Sequence, residues 1–412
     1  MAAHALRRVV CVLLTLRWVS ASIDDRPLNP EIACVTGASG YLGVEVVAQL
    51  LDAGWVVRGT VRDPSDEAKT RELRALPRAD ERLSLLPADL LGGAGAFEPC
   101  VDGAAALFHT ASPFVTTNIT DAQAQLVRPA VEGTTHAVSA ALASASVRRI
   151  VVTSSIAATM GRFTDKDSCF NEDDWNGSSK PDPADGLDAY RYSKLVAERE
   201  FWRLLDEHAA KPGARVVTGA TVLPAFIVGP PRTARADGES LSNMRMALEG
   251  EVPHRSDTPM CDVRDVARAH VAAFEKQPRP TALARQGEVE RYIVSTEHAI
   301  KRTHLLNLIK RRYPEFVIAD PDPAVSEPDA LGPHIFCGYA LPLLPDTSVR
   351  DPDESLLDMA AAMLKLGSAK PTVTELRLCS ETQGPPCRFD KTRKGRAEEA
   401  KRKRAREKKG EL

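Results

Sequence analysis

Gly37, Gly40 and Gly43 recur at three-residue spacing where a β-rich run gives way to a helical apolar pattern, and no other feature constrains this chain as strongly. The run 32–36 has strand composition, helical spacing starts at Tyr41, and a second β run covers 55–61. Strand, glycine turn, helix, strand is the layout of a dinucleotide-binding unit. The first glycine permits the tight turn, the second lets the backbone approach a pyrophosphate, and the third lets the helix pack on the strand. The helix N-terminus then points free N–H groups at phosphates. A glycine triplet alone is a weak signal; here its flanks are the ones that such a cradle requires.

The end of the second strand bears on the choice of dinucleotide. An acid there holds a ribose 2′-OH, whereas a cation there accepts a 2′-phosphate. The strand ends Val61-Arg62-Asp63-Pro64, with Arg58 inside it and Lys69 beyond it. Arg62, by its planar fork, and Lys69 suit a phosphate. Asp63 is the acid that would serve the other cofactor. NADP(H) is therefore favoured, and NAD(H) stays open.

Strands and helices alternate from there. Strand runs read at 83–86, 104–108 and 149–153, with an alanine-rich helix over 121–145. Such βαβ repetition means a doubly wound parallel Rossmann sheet of the α/β class. Asp89 and Leu90 follow the third strand, and Asp89 has two readings, an adenine contact or a turn acid. His109 and Thr110 follow the fourth strand, where chain and cofactor should meet, and His109 reads as packing rather than catalysis. The fifth strand runs into Thr153-Ser154-Ser155. After a polar stretch over 160–188 comes Tyr190-Arg191-Tyr192-Ser193-Lys194, opening a helix to about residue 209. Tyr190 and Lys194 are four apart and share a helical face. Tyrosine is a poor acid near neutral pH, but an ammonium beside it favours the phenolate and lowers its pKa. The phenol can then exchange a proton with a substrate oxygen that a nearby serine hydroxyl holds.

With these residues in place the chain resembles an extended short-chain dehydrogenase/reductase of the epimerase/dehydratase superfamily, in the dihydroflavonol 4-reductase and cinnamoyl-CoA reductase branch. The likeness rests on Val35 to Gly43, Thr60 to Pro64, Val152 to Ser155, Tyr190 to Lys194, Leu223 to Pro230 and Asp262 to His270, and spans roughly 31–368. The resemblance implies Ser155, Tyr190 and Lys194 as catalytic residues, with Ser155 rather than Ser154 as the family's serine. It implies Lys194 on the nicotinamide ribose, Arg62 and Lys69 on the 2′-phosphate, and Pro224 beside the nicotinamide. The full expected cofactor set is Gly37, Ser39, Gly40, Tyr41, Leu42, Gly43, Arg62, Lys69, Asp89, Leu90, Thr110, Tyr190, Lys194 and Pro224. Met160 stands where plant dihydroflavonol reductases have a flavonoid-binding asparagine, which argues against a flavonoid. The implied activity is NADP(H)-dependent reduction of an aldehyde, ketone or acyl-CoA carbonyl, or its reverse. A 3β-hydroxysteroid dehydrogenase-like or sugar-nucleotide epimerase/dehydratase-like enzyme would share the trio, with Arg232, Arg235 and Arg245 available for a diphosphate. A non-catalytic cofactor-sensing scaffold is the reading from another class.

The domain reading is a dinucleotide-binding domain over 31–223, a smaller interleaved substrate-binding part over 224–370 and a basic tail over 371–412. Asp265 and His270 read as a cap and packing, and 301–313 as an amphipathic surface helix. Residues 1–22 carry Arg7 and Arg8, a short apolar stretch and small residues, which fits a secretory signal peptide; an organelle presequence is the rival. From Arg388 to Leu412 there are twelve Lys/Arg against five Asp/Glu, in a chain of 412 residues and net charge -2. The last residues, Lys409-Gly410-Glu411-Leu412, resemble a lumenal retention signal. Endoplasmic-reticulum lumen or secretory pathway is the expected location, with cytoplasm or another organelle as alternatives. No apolar run reaches the ~18 residues that span a bilayer. Cys34 reads as a buried small hydrophobe, Cys379 and Cys387 as a disulfide candidate, and Asn118 and Asn176 head glycosylation sequons. The expected partner is a small-molecule substrate, without nucleic acid or metal, in a monomer or homodimer.

Overall fold

β1 (Ile32–Thr36) lies inside a seven-stranded sheet, and its alternation explains the layers on either side. Val35, with Phe108 and Val151 of neighbouring strands, faces one core; Cys34, Leu107 and Ile150 face the other. A strand covered on both faces must be apolar throughout, as Ala33, Cys34 and Val35, all fully buried, are. The computed structural model describes residues 30–373 apart from 115, 117–118, 162–168, 183, 236, 255–256, 277–289, 320–330, 338–342 and 344–348. Residues 1–22, Asn118, Cys379, Cys387 and the basic tail from residue 374 lie outside the described residues.

The chain continues through α1 (Tyr41–Asp52), β2 (Val56–Val61), α2 (Glu67–Arg74), β3 (Leu83–Pro87), β4 (Ala106–His109), α3 (Arg128–Ala143), β5 (Arg149–Thr153), α4 (Gly186–Ala209) and β6 (Thr218–Pro224). It then forms β7 (Phe226–Val228), α5 (Glu239–Leu248), β8 (Met260–Asp262), α6 (Val263–Glu275), β9 (Arg291–Val294), β10 (His298–Ile300), α7 (Arg302–Arg312), β11 (Leu331–His334) and α8 (Pro352–Leu366). The sheet order is β3-β2-β1-β4-β5-β6-β9, every pair parallel. α1 and α6 pack together on one face, and α3 with α4 on the other. The order reverses between β1 and β4, and ligands of open α/β sheets bind at such a switch, beyond the strand C-termini.

A second core gathers Met244, Leu248, Ile309, Met359 and Met363 from α5, α7 and α8, below the small β7–β8 pair. α6 and β9 return to the main sheet in between, so the two cores interleave along the chain. Among the described residues no helix is long and apolar enough to cross a membrane.

Several boundaries differ from the sequence reading for local reasons. α4 starts at Gly186, not Tyr190, because the Asp185 side chain caps it by accepting from the Asp188 N–H at 2.9 Å. Over 121–145 the first turn is a π-turn, Gln123–Val127, and regular helix begins at Arg128. α6 is capped by Asp262, which accepts from the Arg264 N–H at 2.7 Å. Asp265 is not the cap: it is fully buried and pairs with Arg268 at 3.0 Å and with Arg350.

Cys34 is buried but is not a lone hydrophobe. It is bonded to Cys100, with Cα atoms 5.3 Å apart, tying β1 to the one-turn helix Glu98–Val101. A second disulfide joins Cys169 to Cys337. The sequon at Asn176 lies inside the fold. Asn176 is 1% exposed, and its Nδ2 donates to Ala157 O and to Ser179 Oγ, each at 2.9 Å. A glycan there would take one of the two N–H donors and need space that a 1% exposed side chain lacks, so folded protein from a secreting host should carry Asn176 unmodified. Peptide mass mapping with and without glycosidase checks this, and a glycan at Asn176 on folded material would contradict it.

Candidate active site

The glycine turn is built by steric need. Gly37 has φ +66°, and a Cβ on it would sit 2.9 Å from Ala111 Cα. At Gly43 a Cβ would overlap the Gly37 carbonyl, so the helix approaches its turn only with glycine there. α1 begins at Gly40 with no side-chain cap and no acid in its first turn. Its leading N–H groups are therefore left for an anion, with the positive end of the helix dipole behind them.

Beyond this turn a cavity of about 780 Å³ opens over the C-terminal strand ends. Tyr41, Leu42, Arg62, Asp89, Leu90, Thr110, Ser155, Tyr190, Lys194 and Pro224, all expected from the sequence, line it. Gly37, Ser39, Gly40 and Gly43 shape the turn but are not in its wall. Lys69 is absent from the wall as well: it is paired with Asp66 at 2.6 Å. Arg58 donates to the carbonyls of Pro99 and Asp102, away from the cavity. Asp63 accepts from the Ser65 hydroxyl at 2.6 Å and its N–H at 2.8 Å, and that hydroxyl holds its carboxyl below the usual carboxylate range. The acid that would serve a ribose 2′-OH is thus engaged in its own turn, while Arg62 faces the cavity. Asp89 is a turn acid, accepting from the Leu91 N–H at 2.9 Å, and still reaches the wall.

At the other end α4 presents Tyr190 and Lys194, both buried, with Lys194 Nζ 5.8 Å from the centre of the Tyr190 ring. Phe114 packs against that ring, tilted, with centroids 4.8 Å apart. Burial pushes the Lys194 ammonium down to about 8, and the Glu198 carboxylate one turn on opposes the shift. Two serines meet here with different commitments. Ser154 Oγ donates to Glu198, whereas Ser155 Oγ accepts from the Ala157 N–H at 3.2 Å and keeps its proton for a ligand in the cavity. Tyr192 is outside the lining.

Two histidines below the site stay neutral. His109 shares a 2.9 Å hydrogen bond with Thr36 Oγ1; burial, helped by the Lys194 charge, pushes it to about 3. His270 is bonded to Thr153 Oγ1 at 2.7 Å and is pushed by burial to about 4. Both brace strand ends, in line with packing roles.

Of the remaining wall, the sequence points to Met160 and Arg235 and misses the rest. Phe114, Ile156, Met160, Leu187, Phe226 and Ile227 give it an apolar face, and Arg235, Asp237, Gly238 and Ser240 close one side. Leu187 opens α4, Phe226 and Ile227 belong to β7, Ser240 to α5 and the others to loops and short turns, and no local spacing connects them to the glycine turn. Of the arginines considered for a sugar diphosphate, Arg232 pairs with Glu45 outside the wall, and Arg245 is outside it too.

The profile of the NAD dependent epimerase/dehydratase family matches residues 33–283. Over 307 residues the chain is 34% identical to cinnamoyl-CoA reductase 1 of Petunia hybrida, covering 74% of this chain and 84% of that one. It is 33% identical over 287 residues to tetraketide alpha-pyrone reductase 2 of Arabidopsis thaliana, covering 68% and 83%. Among solved structures, yeast methylglyoxal/isovaleraldehyde reductase Gre2 complexed with NADPH superposes with a TM-score of 0.68 at 28% identity, covering 82% of this chain and 99% of that one. By profile, by relatives and by fold, the chain belongs to the NAD dependent epimerase/dehydratase family, among the oxidoreductases of its cinnamoyl-CoA reductase-like branch.

Proposed function

We propose that this protein is an NADPH-dependent carbonyl reductase in which Tyr190 supplies the proton and Ser155 holds the substrate oxygen. The observation that carries it is the meeting of Ser155, Tyr190 and Lys194 in one cavity whose far end holds Arg62. The residues present fit the cofactor. The turn at Gly37 has no room for a Cβ, α1 has an uncapped N-terminus free of acids, and Arg62 rather than Asp63 faces inward. When bound, the cofactor supplies a hydride to the carbonyl carbon.

The chain's own residues do the rest. The Ser155 hydroxyl donates to the carbonyl oxygen and fixes its position. Tyr190 gives its phenolic proton to that oxygen as the alcohol forms, and water returns the proton to the phenolate. The Lys194 ammonium beside the ring makes the phenolate cheaper to form. Phe114, Ile156, Met160 and Phe226 favour a carbonyl carried on an apolar or aromatic body and keep water from it. The test is a panel of aldehydes, ketones and acyl-CoA thioesters assayed with NADPH and with NADH. Reduction of apolar members with NADPH preferred is expected. NADPH binding without turnover of any member would instead favour a cofactor-sensing scaffold.

The same proposal places the protein in an oxidising compartment, the endoplasmic-reticulum lumen. Support comes from Cys34–Cys100 and Cys169–Cys337, which close loops of 66 and 168 residues. Disulfides persist in such compartments and are rare in the cytosol. Each closed loop contributes about 2–4 kcal/mol by restricting the unfolded chain. Non-reducing peptide maps of protein from its native cells should show both links, and reduction should lower Tm. Free thiols at Cys34 and Cys100 in that material would refute the lumenal assignment.

A further inference from the structure

Arg235 belongs to the second lobe, on the segment between β7 and α5, yet it reaches the glycine turn. Its Nη1 donates to the Ser39 carbonyl at 2.9 Å, across 196 residues of sequence. Its other two nitrogens grip Asp237, Nε donating to Oδ1 at 2.6 Å and Nη2 to Oδ2. Arg235 and Asp237 line the same cavity as Arg62. The Asp237 side chain is 63% exposed and that of Arg235 23%, so the acid is the outer member of the pair. The pair also lies over the start of α2, since Asp237 feels the charge of Lys69 and Arg235 that of Asp66. That corner, past the end of β2, is where the adenosine ribose of a dinucleotide is held.

We propose that Arg235 is a 2′-phosphate-binding residue, brought from the second lobe to face Arg62, with Asp237 occupying its guanidinium fork until the cofactor arrives. This rests on the NADPH reading above. A carboxylate gripped by two guanidinium nitrogens has the geometry that two phosphate oxygens would take. An exposed carboxylate is also displaced at little cost, because water solvates it once released. Arg235 already touches the glycine turn through the Ser39 carbonyl, so the phosphate would meet a guanidinium held in place. Gly238 and Ser240, which follow Asp237, line the same cavity.

The test is equilibrium titration of NADPH and NADH, read by nicotinamide fluorescence, on the wild type, Arg235→Ala and Asp237→Ala, with Tm as the folding control. Arg235→Ala should weaken NADPH about tenfold, the loss of a charge-assisted contact, and change NADH less than twofold. Asp237→Ala should bind NADPH at least as tightly as the wild type. Unchanged NADPH binding in Arg235→Ala, or an equal loss for NADH, would overturn the proposal. So would a loss in Asp237→Ala as large as that in Arg235→Ala, because the pair would then be a structural clasp. A wild type that binds no NADPH overturns the function reading itself and this inference with it, whereas a wild type that prefers NADPH beside an unaffected Arg235→Ala overturns the inference alone.

Discussion

Tyr190→Phe is expected to lower kcat by about 10²–10⁴, the usual worth of a positioned general acid, while leaving the NADPH dissociation constant unchanged. The substitution removes one hydroxyl and nothing else. The ring keeps its contact with Phe114 at 4.8 Å, and Lys194 stays buried beside it. A loss confined to kcat at constant cofactor affinity therefore assigns the proton to this oxygen. Activity within twofold of wild type would remove Tyr190 from the chemistry. The pH dependence follows from Lys194, whose ammonium is pushed by burial to about 8. The ammonium is the useful form, and it is lost as pH rises through that value. The kcat/KM for NADPH, which reports the free enzyme, should fall on the alkaline side with a midpoint near 8.

The sequence carried the opening unit and the Tyr-x-x-x-Lys pair because each is local. Gly37 to Gly43 lie within one turn and the start of its helix, and 149–153 coincides with β5 because strand composition and flanking turns agree there. Contacts that join distant segments left no such trace. Cys34 and Cys100 are 66 residues apart, and nothing around either announces the other. Arg235 meets Ser39 across 196 residues of sequence, through the segment between β7 and α5. Lys69 has a local partner that its position does not announce. Its place along the chain suits a 2′-phosphate, and Asp66 three residues earlier pairs with its ammonium at 2.6 Å. The wall that would choose a substrate, from Phe114 to Ile227, draws on loops, the start of α4 and β7, and its residue types are those of any core. Position along a strand or helix can be read from sequence; the partner a side chain finds across the fold cannot.

The largest stability effect should come from Glu198, one helical turn beyond Lys194. Its carboxylate is fully buried against Arg291 Nε at 2.7 Å and also accepts from Thr221 Oγ1 at 2.9 Å and from Ser154. Arg291 cannot escape to water: Nη1 donates to the carbonyls of Glu172 and Asp174, each at 2.6 Å, and its guanidinium lies 3.8 Å from the centre of the Trp175 ring. Glu198→Ala would strand that cation in the core and leave the Ser154 and Thr221 hydroxyls without their acceptor. Breaking such a pair costs about 3–5 kcal/mol, so Tm should drop sharply. Glu198→Gln keeps the shape and one acceptor oxygen but deletes the charge, so it too leaves the Arg291 cation uncompensated, and its pH profile is read in protein that is still folded. Glu198 opposes the burial of Lys194, so without its charge the ammonium is less favoured and deprotonates at a lower pH. The alkaline limb of kcat/KM should then move to lower pH in Glu198→Gln, even in folded protein measured well below its Tm. An unmoved limb would show that Glu198 holds the sheet to α4 without tuning the lysine, and an unmoved Tm in Glu198→Ala would show that the pair contributes no net stability.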